Sequence, residues 1–184
     1  MDESEAVRRA KAGDVDAYEW LVREHSAAAV RLAAALCGRS ADAEDVAQEA
    51  FLKVFHSLDR FRPDAALRPW LLRIVANEAK NHNRSGRRRT ALALRAGSRR
   101  ESAPLSPEDA VMAERDADAV LEAVASLPDR DRLVVGFRYF AGLSERETAA
   151  ALGCRPGTVK SRLARALDRL RPQLEGMRGG DIDD

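Results

Sequence analysis

Cysteine is almost missing from the 184 residues: Cys37 and Cys154 are the only two, far apart, each among alanines and leucines at the end of a helical pattern. That excludes a disulfide scaffold, and without a CxxC or Cys/His cluster both read as small core residues rather than metal ligands. Long apolar runs are missing too. None approaches the roughly 20 residues that cross a bilayer. The acidic start MDESE has the wrong charge for a signal peptide, so no membrane insertion and a cytoplasmic location are expected. Aromatics are only 5% and β-branched alternation is absent, which leaves no convincing strand. Glycine-rich phosphate loops, nucleophile elbows, His-Glu-x-x-His and Glu-x-x-His pairs do not occur either, so the sequence predicts no enzyme, no metal and no cofactor.

Net charge is also nearly absent, at +1 from 31 basic and 30 acidic residues, yet its distribution is uneven. Between Asp42 and Glu49 there are four acids and no base, whereas from Arg84 to Arg100 there are seven arginines and no acid. Two poles suggest two partners, one basic and one anionic.

What is present is helical period throughout. Helices are predicted over residues 3–11, 15–37, 42–59, 67–84, 107–125, 129–140, 144–152 and 156–172, which makes the chain all-α. Ser106-Pro107-Glu108-Asp109 and the capping box Ser144-Glu145-Arg146-Glu147 read as helix starts, and Gly142 and Gly153 as stops. Residues 85–105 carry two glycines and no sustained apolar stripe, which predicts a flexible linker between two small domains. The tail GMRGGDIDD reads as disordered.

Three stretches carry candidate function. SERETAAALG, a break at CRP and then GTVKSRLARAL spell helix, tight turn, helix. The second helix has an apolar stripe of Val159, Leu163, Ala166, Leu167 and Leu170. Opposite it, Arg155, Thr158, Ser161, Arg162 and Arg165 would face a DNA major groove, with Lys160 and Arg169 nearer phosphates. A solvated arginine face on an ordinary helix is the alternative reading. In DAEDVAQEAFLKVFHSLD, Ala43, Val46, Ala47, Ala50, Phe51, Val54, Phe55 and Leu58 form a core stripe. The opposite face sets Leu52 among Asp45, Gln48, Glu49 and His56, an apolar knob ringed by acids that would suit a basic partner helix.

The third stretch is residues 59–89, DRFRPDAALRPWLLRIVANEAKNHNRSGRRR. Leu71, Ile74, Val75 and Ala79 point one way, and Trp70, Arg73, Asn77, Lys80, Asn81 and Arg84 another. An aromatic beside cations and amides is a combination that binds an unpaired strand, because bases stack on rings while phosphates meet positive charge. Trp70 as half-buried core is the alternative.

Taken together and in this order, the three stretches resemble the extracytoplasmic-function, or group IV, bacterial sigma factors. The resemblance implies two helical domains: residues 1–88 as region 2, 89–106 as linker, 107–175 as region 4, and 176–184 as a disordered tail. It implies core RNA polymerase, through its β′ and β subunits, promoter DNA and an anti-sigma factor as partners. Carried over by position, Asp45, Gln48, Glu49 and Leu52 would dock on the polymerase. Phe61, Arg62, Asp64, Trp70, Arg73, Asn77, Lys80, Asn81 and Arg84 would take the −10 element, and Arg155, Thr158, Lys160, Ser161, Arg162 and Arg165 the −35 element. The basic linker departs from the family, where it would be acidic. Two other function classes stand beside this one: a helix-turn-helix repressor or activator acting without polymerase, and a helical enzyme.

Overall fold

The structure, a computed structural model, describes residues 1–62, 65–95 and 110–179, all of whose regular elements are helical. In chain order they are α1 (Glu3–Lys11), α2 (Val15–Cys37), α3 (Ala43–Ser57), α4 (Leu67–Arg95), α5 (Ala110–Ser126), α6 (Asp129–Val135), α7 (Glu145–Leu152) and α8 (Pro156–Gly179). Asp2 and Asp14 cap the first two helices by accepting from the amides of Glu5 and Ala17, and Gly38 ends α2 in the left-handed conformation. Ser144 and Glu147 form the expected capping box at α7. Those bonds also hold the Glu147 carboxyl below its usual range.

Three expectations, on the ends of α4 and α8 and on Phe55, are corrected. α4 does not stop at residue 84 but runs through Gly86 to Arg95, so residues 85–95 of the expected linker are helical. Arginine, alanine and leucine are strong helix formers, and one glycine costs only about 1 kcal/mol. Bonds from Asn83 to the Leu36 carbonyl (2.9 Å) and from His82 to Asp42 (3.5 Å) tie down the turn just before it. α8 continues past Pro172 to Gly179 because Leu174 packs on the core and Gln173 meets Ser126. Phe55, expected in the core, is 47% exposed. Cys37 and Cys154 are half-buried and unbonded, and burial pushes the Cys37 thiol up to about 11. Ser106 to Asp109 and residues 96–105 lie outside the described residues.

α2, α3 and α4 enclose the main core, and α5, α6 and α8 enter the same core from the other half of the chain: Leu32, Leu36, Val54 and Leu72 share it with Leu121, Val124, Phe137 and Leu170. The two halves meet closely where glycine backbone of one takes side chains of the other. A side chain on Gly136 would come 2.9 Å from Leu32, and one on Gly38 2.5 Å from Ala125, so both sites admit only hydrogen without something moving. After α6 the chain makes a π-helical turn, Gly136–Phe140, closed by the Ala141 amide on the Gly136 carbonyl at 2.9 Å. The wide turn turns carbonyls outward: Phe140 accepts from Arg31 of α2 (3.0 Å) and Ala141 from Arg68 of α4 (2.7 Å).

Beneath Arg68 lies His25, 4% exposed, with Glu3 at 3.0 Å but without hydrogen-bond alignment. Burial dominates here and holds the imidazole below its ordinary 6.5. Arg68 acts in the same direction, while Glu3 and Glu24 oppose. A depressed histidine favours the folded state above its unfolded value and loses that contribution as pH falls through it. Stability measured by denaturant is therefore expected to be lower at about pH 5.5 than at about pH 7.5, with a smaller difference in His25→Gln.

Candidate functional site

The acidic face of α3 is built by helical phase. At about 100° per residue, Leu52 stands opposite the buried stripe with Asp45, Gln48, Glu49 and His56 within about 60° of it. All of them are exposed, Leu52 at 56%. Phe55 enlarges the knob: it stacks edge-on against Tyr18 at 5.0 Å, and the Tyr18 hydroxyl donates to the Phe51 carbonyl at 2.5 Å. Burial pushes that hydroxyl up to about 12, so it stays a neutral, fixed support. Sequence reasoning missed Phe55 because it lies at the margin of the core stripe, three residues from Leu52. It also missed Lys53, whose ammonium bridges Glu49 (3.6 Å) and the buried Glu78 of α4. The bond it donates to Glu78 holds Lys53 above its ordinary value.

The strand-binding candidates gather along α4. Arg73, Asn77, Lys80, Asn81 and Arg84 are exposed, and Asn81 donates to Glu78 at 3.4 Å. Trp70 is half-buried, 5.0 Å from the Phe61 ring, which is only 4% exposed. The half-buried core description of Trp70 holds: one side packs on core, and the rest lines an open cavity of about 460 Å³ with Arg60, Phe61, Arg62, Arg73 and, across from them, Ala150 and Ala151 of α7. Farther along, Arg73, Asn77 and Lys80 face Asp129, Arg132 and Leu133 of α6 over a cavity of about 290 Å³. The second half of the chain therefore forms the opposite wall of this face of α4. Asp64 lies outside the described residues.

In the helix-turn-helix, Val134 of α6, Ala149 of α7 and Val159 of α8 make a small buried cluster that fixes the two last helices against α6. Gly153 turns the chain between them at φ 62°. Arg155, Lys160, Ser161 and Arg165 are exposed at the start of α8, and Thr158 and Arg162 are half-buried. Ser161 donates to the Thr158 carbonyl (3.1 Å) and Arg165 to that of Ser161 (3.3 Å). Arg169, expected nearer phosphates, is instead paired with the buried Asp131 of α6, which it braces. Leu167 of the expected apolar stripe is 36% exposed. Among the described residues no group of three or more His, Cys, Asp or Glu could hold a metal, and no helix is long and apolar enough to cross a membrane.

Residues 21–89 match the Sigma-70 region 2 family and residues 117–170 the Sigma-70 region 4 family. The ECF RNA polymerase sigma-E factor of Escherichia coli is 35% identical over 180 residues, covering 92% of each chain. The chain belongs to the extracytoplasmic-function sigma factors. Such a sigma factor is a transcription-initiation factor and not an enzyme, and a polymerase-independent repressor or activator is not favoured. The RNA polymerase sigma-H factor of Pseudomonas aeruginosa is 33% identical, with 94% of each chain covered. Among solved structures, CnrH in complex with the cytosolic domain of CnrY superimposes with a TM-score of 0.73 at 26% identity, covering 95% of this sigma factor and 99% of that chain. The sigma factor RpoE of Bartonella quintana, in complex with the anti-sigma factor NepR, gives 0.69 at 27% identity, covering 88% and 98%.

Proposed function

We propose that this sigma factor carries core RNA polymerase to promoters and captures the non-template strand of the −10 element as the duplex opens. Asp45, Gln48, Glu49 and Leu52 dock on the β′ subunit. Phe61, Arg62, Asp64 and Trp70, with Arg73, Asn77, Lys80, Asn81 and Arg84, take the strand. Stacking is worth about 1–3 kcal/mol per base, comparable with the few kcal/mol needed to extrude one from a duplex. Arg155, Thr158, Lys160, Ser161, Arg162 and Arg165 read the −35 element from the start of α8. In this reading residues 1–88 serve the polymerase and the −10 element, residues 107–175 the −35 element, and the protein works in the cytoplasm.

The observation that carries the reading is that α3's acid-ringed knob and, around the start of α8, Arg155, Lys160 and Arg165 are exposed in a chain matching both sigma regions. Because α6 and α7 wall the strand face, a strand reaches it once the halves part. Binding both halves to one polymerase would supply that separation, and free DNA affinity stays low. The solved relative in complex with the anti-sigma factor NepR supports a cognate anti-sigma factor as regulator. Run-off transcription with purified core enzyme tests the reading: promoter-specific transcripts are expected only when the chain is added, and their absence would sink it. Arg162→Ala is expected to cost about 1–3 kcal/mol at one −35 position, measured by competition among single-base promoter variants. An equal loss on every variant would assign Arg162 to phosphate.

A further inference from the structure

α1 precedes residue 21, where the region 2 match begins, so the family match assigns it nothing. Its buried face, Ala6, Val7 and Ala10, nevertheless forms a small core of its own with Leu58, Phe61 and Leu67, and Trp70 packs against that core. At the end of α1, the Lys11 ammonium donates to the Phe61 carbonyl at 2.7 Å, joining positions 50 residues apart. Phe61 is where the chain leaves the short 3-10 turn Leu58–Arg60 and becomes extended, and its ring backs Trp70. Among the described residues Lys11 makes no ion pair, although Asp2, Glu3 and Glu5 line the neighbouring cavity with it. The charge is directed to the loop instead.

We infer that Lys11 is a positioning residue for base capture: it fixes the Phe61 backbone, and through the Phe61 ring the face of Trp70 on which an extruded nucleobase stacks. The inference rests on the strand-capture reading above. A charge-assisted bond is roughly twice as strong as a neutral one. Without it the Phe61 peptide keeps, among the described residues, only its own amide bond to the Leu58 carbonyl at 3.0 Å. A stacking surface discriminates between bases only while it is held within about 0.5 Å of the productive position by such supports. Lys11 itself touches no base in this arrangement.

The test uses holoenzyme assembled from the full chain and core polymerase, offered single-stranded oligonucleotides randomised across the −10 window; sequencing the bound fraction gives the base preference at each position. Lys11→Met keeps the stem and removes the donor. Its preference at one position is expected to fall about tenfold, the scale of one lost hydrogen bond, while core affinity and melting temperature hold. Lys11→Arg, which can still donate, is expected to restore it. Unchanged preference in Lys11→Met overturns the inference, and so does an equal loss at every position with a shallower salt dependence, which would make Lys11 a phosphate contact. A joint fall of core affinity and melting temperature overturns it as well, by assigning Lys11 to the fold alone. Trp70→Ala separates the two levels. If it erases the preference while Lys11→Met does not, only the role of Lys11 fails; if it leaves the preference intact, strand capture at this cavity fails and the inference with it.

Discussion

Leu52→Asp is expected to leave the fold intact and to weaken binding to core polymerase at least about 100-fold, or about 2.8 kcal/mol. The side chain is 56% exposed, so its removal opens no cavity, and a carboxylate there is freely hydrated in the isolated chain. At a docked interface the same carboxylate would replace the apolar centre of a knob that Phe55 and Tyr18 hold rigid, and it would be stripped of water there. Charge alone does not account for the loss, because Asp45 and Glu49 already surround the position. Titrating labelled chain with core enzyme, with a thermal melt as the control for folding, checks it. Equal affinities for variant and parent would move the polymerase contact away from α3.

Phe137→Ala is expected to destabilise the whole chain by about 3–5 kcal/mol, the usual range for an emptied aromatic site in a core. The ring is 1% exposed and belongs to the core shared by both halves of the chain, beside the glycine that lets α2 come close. A total stability of about 5–15 kcal/mol leaves little after such a loss. The melting temperature should fall by roughly 6–20 °C. Urea denaturation of the isolated chain gives the free energy directly, and a loss under about 1 kcal/mol would show that the site collapses around the missing ring.

Helices α1 and α2 were legible to the residue from their helical period, and Asp2 and Asp14 cap them in the structure. The exposure of Leu52 was legible too: it stands in the middle of an acidic arc where nothing in the fold calls for leucine. α4's continuation was not, since an arginine-rich stretch with a glycine carries linker composition and helix propensity at once. Least legible was the joining of the two halves. Besides the shared apolar core it uses bare backbone at Gly38 and Gly136 and carbonyls at Phe140 and Ala141, and these leave no side-chain pattern to read. Lys11 was invisible for the same reason, its partner being a carbonyl 50 residues away.

The shared core bears on how the protein can be divided. Two matched families invite cutting the chain between residues 95 and 110, yet the first piece would bare Leu32 and Leu36, and the second would bare Leu121, Val124 and Phe137. Each fragment would carry a sticky, half-finished interior and tend to self-associate, and mixing the two should heal both. The seam, more than the sequence boundary, sets what behaves as a unit.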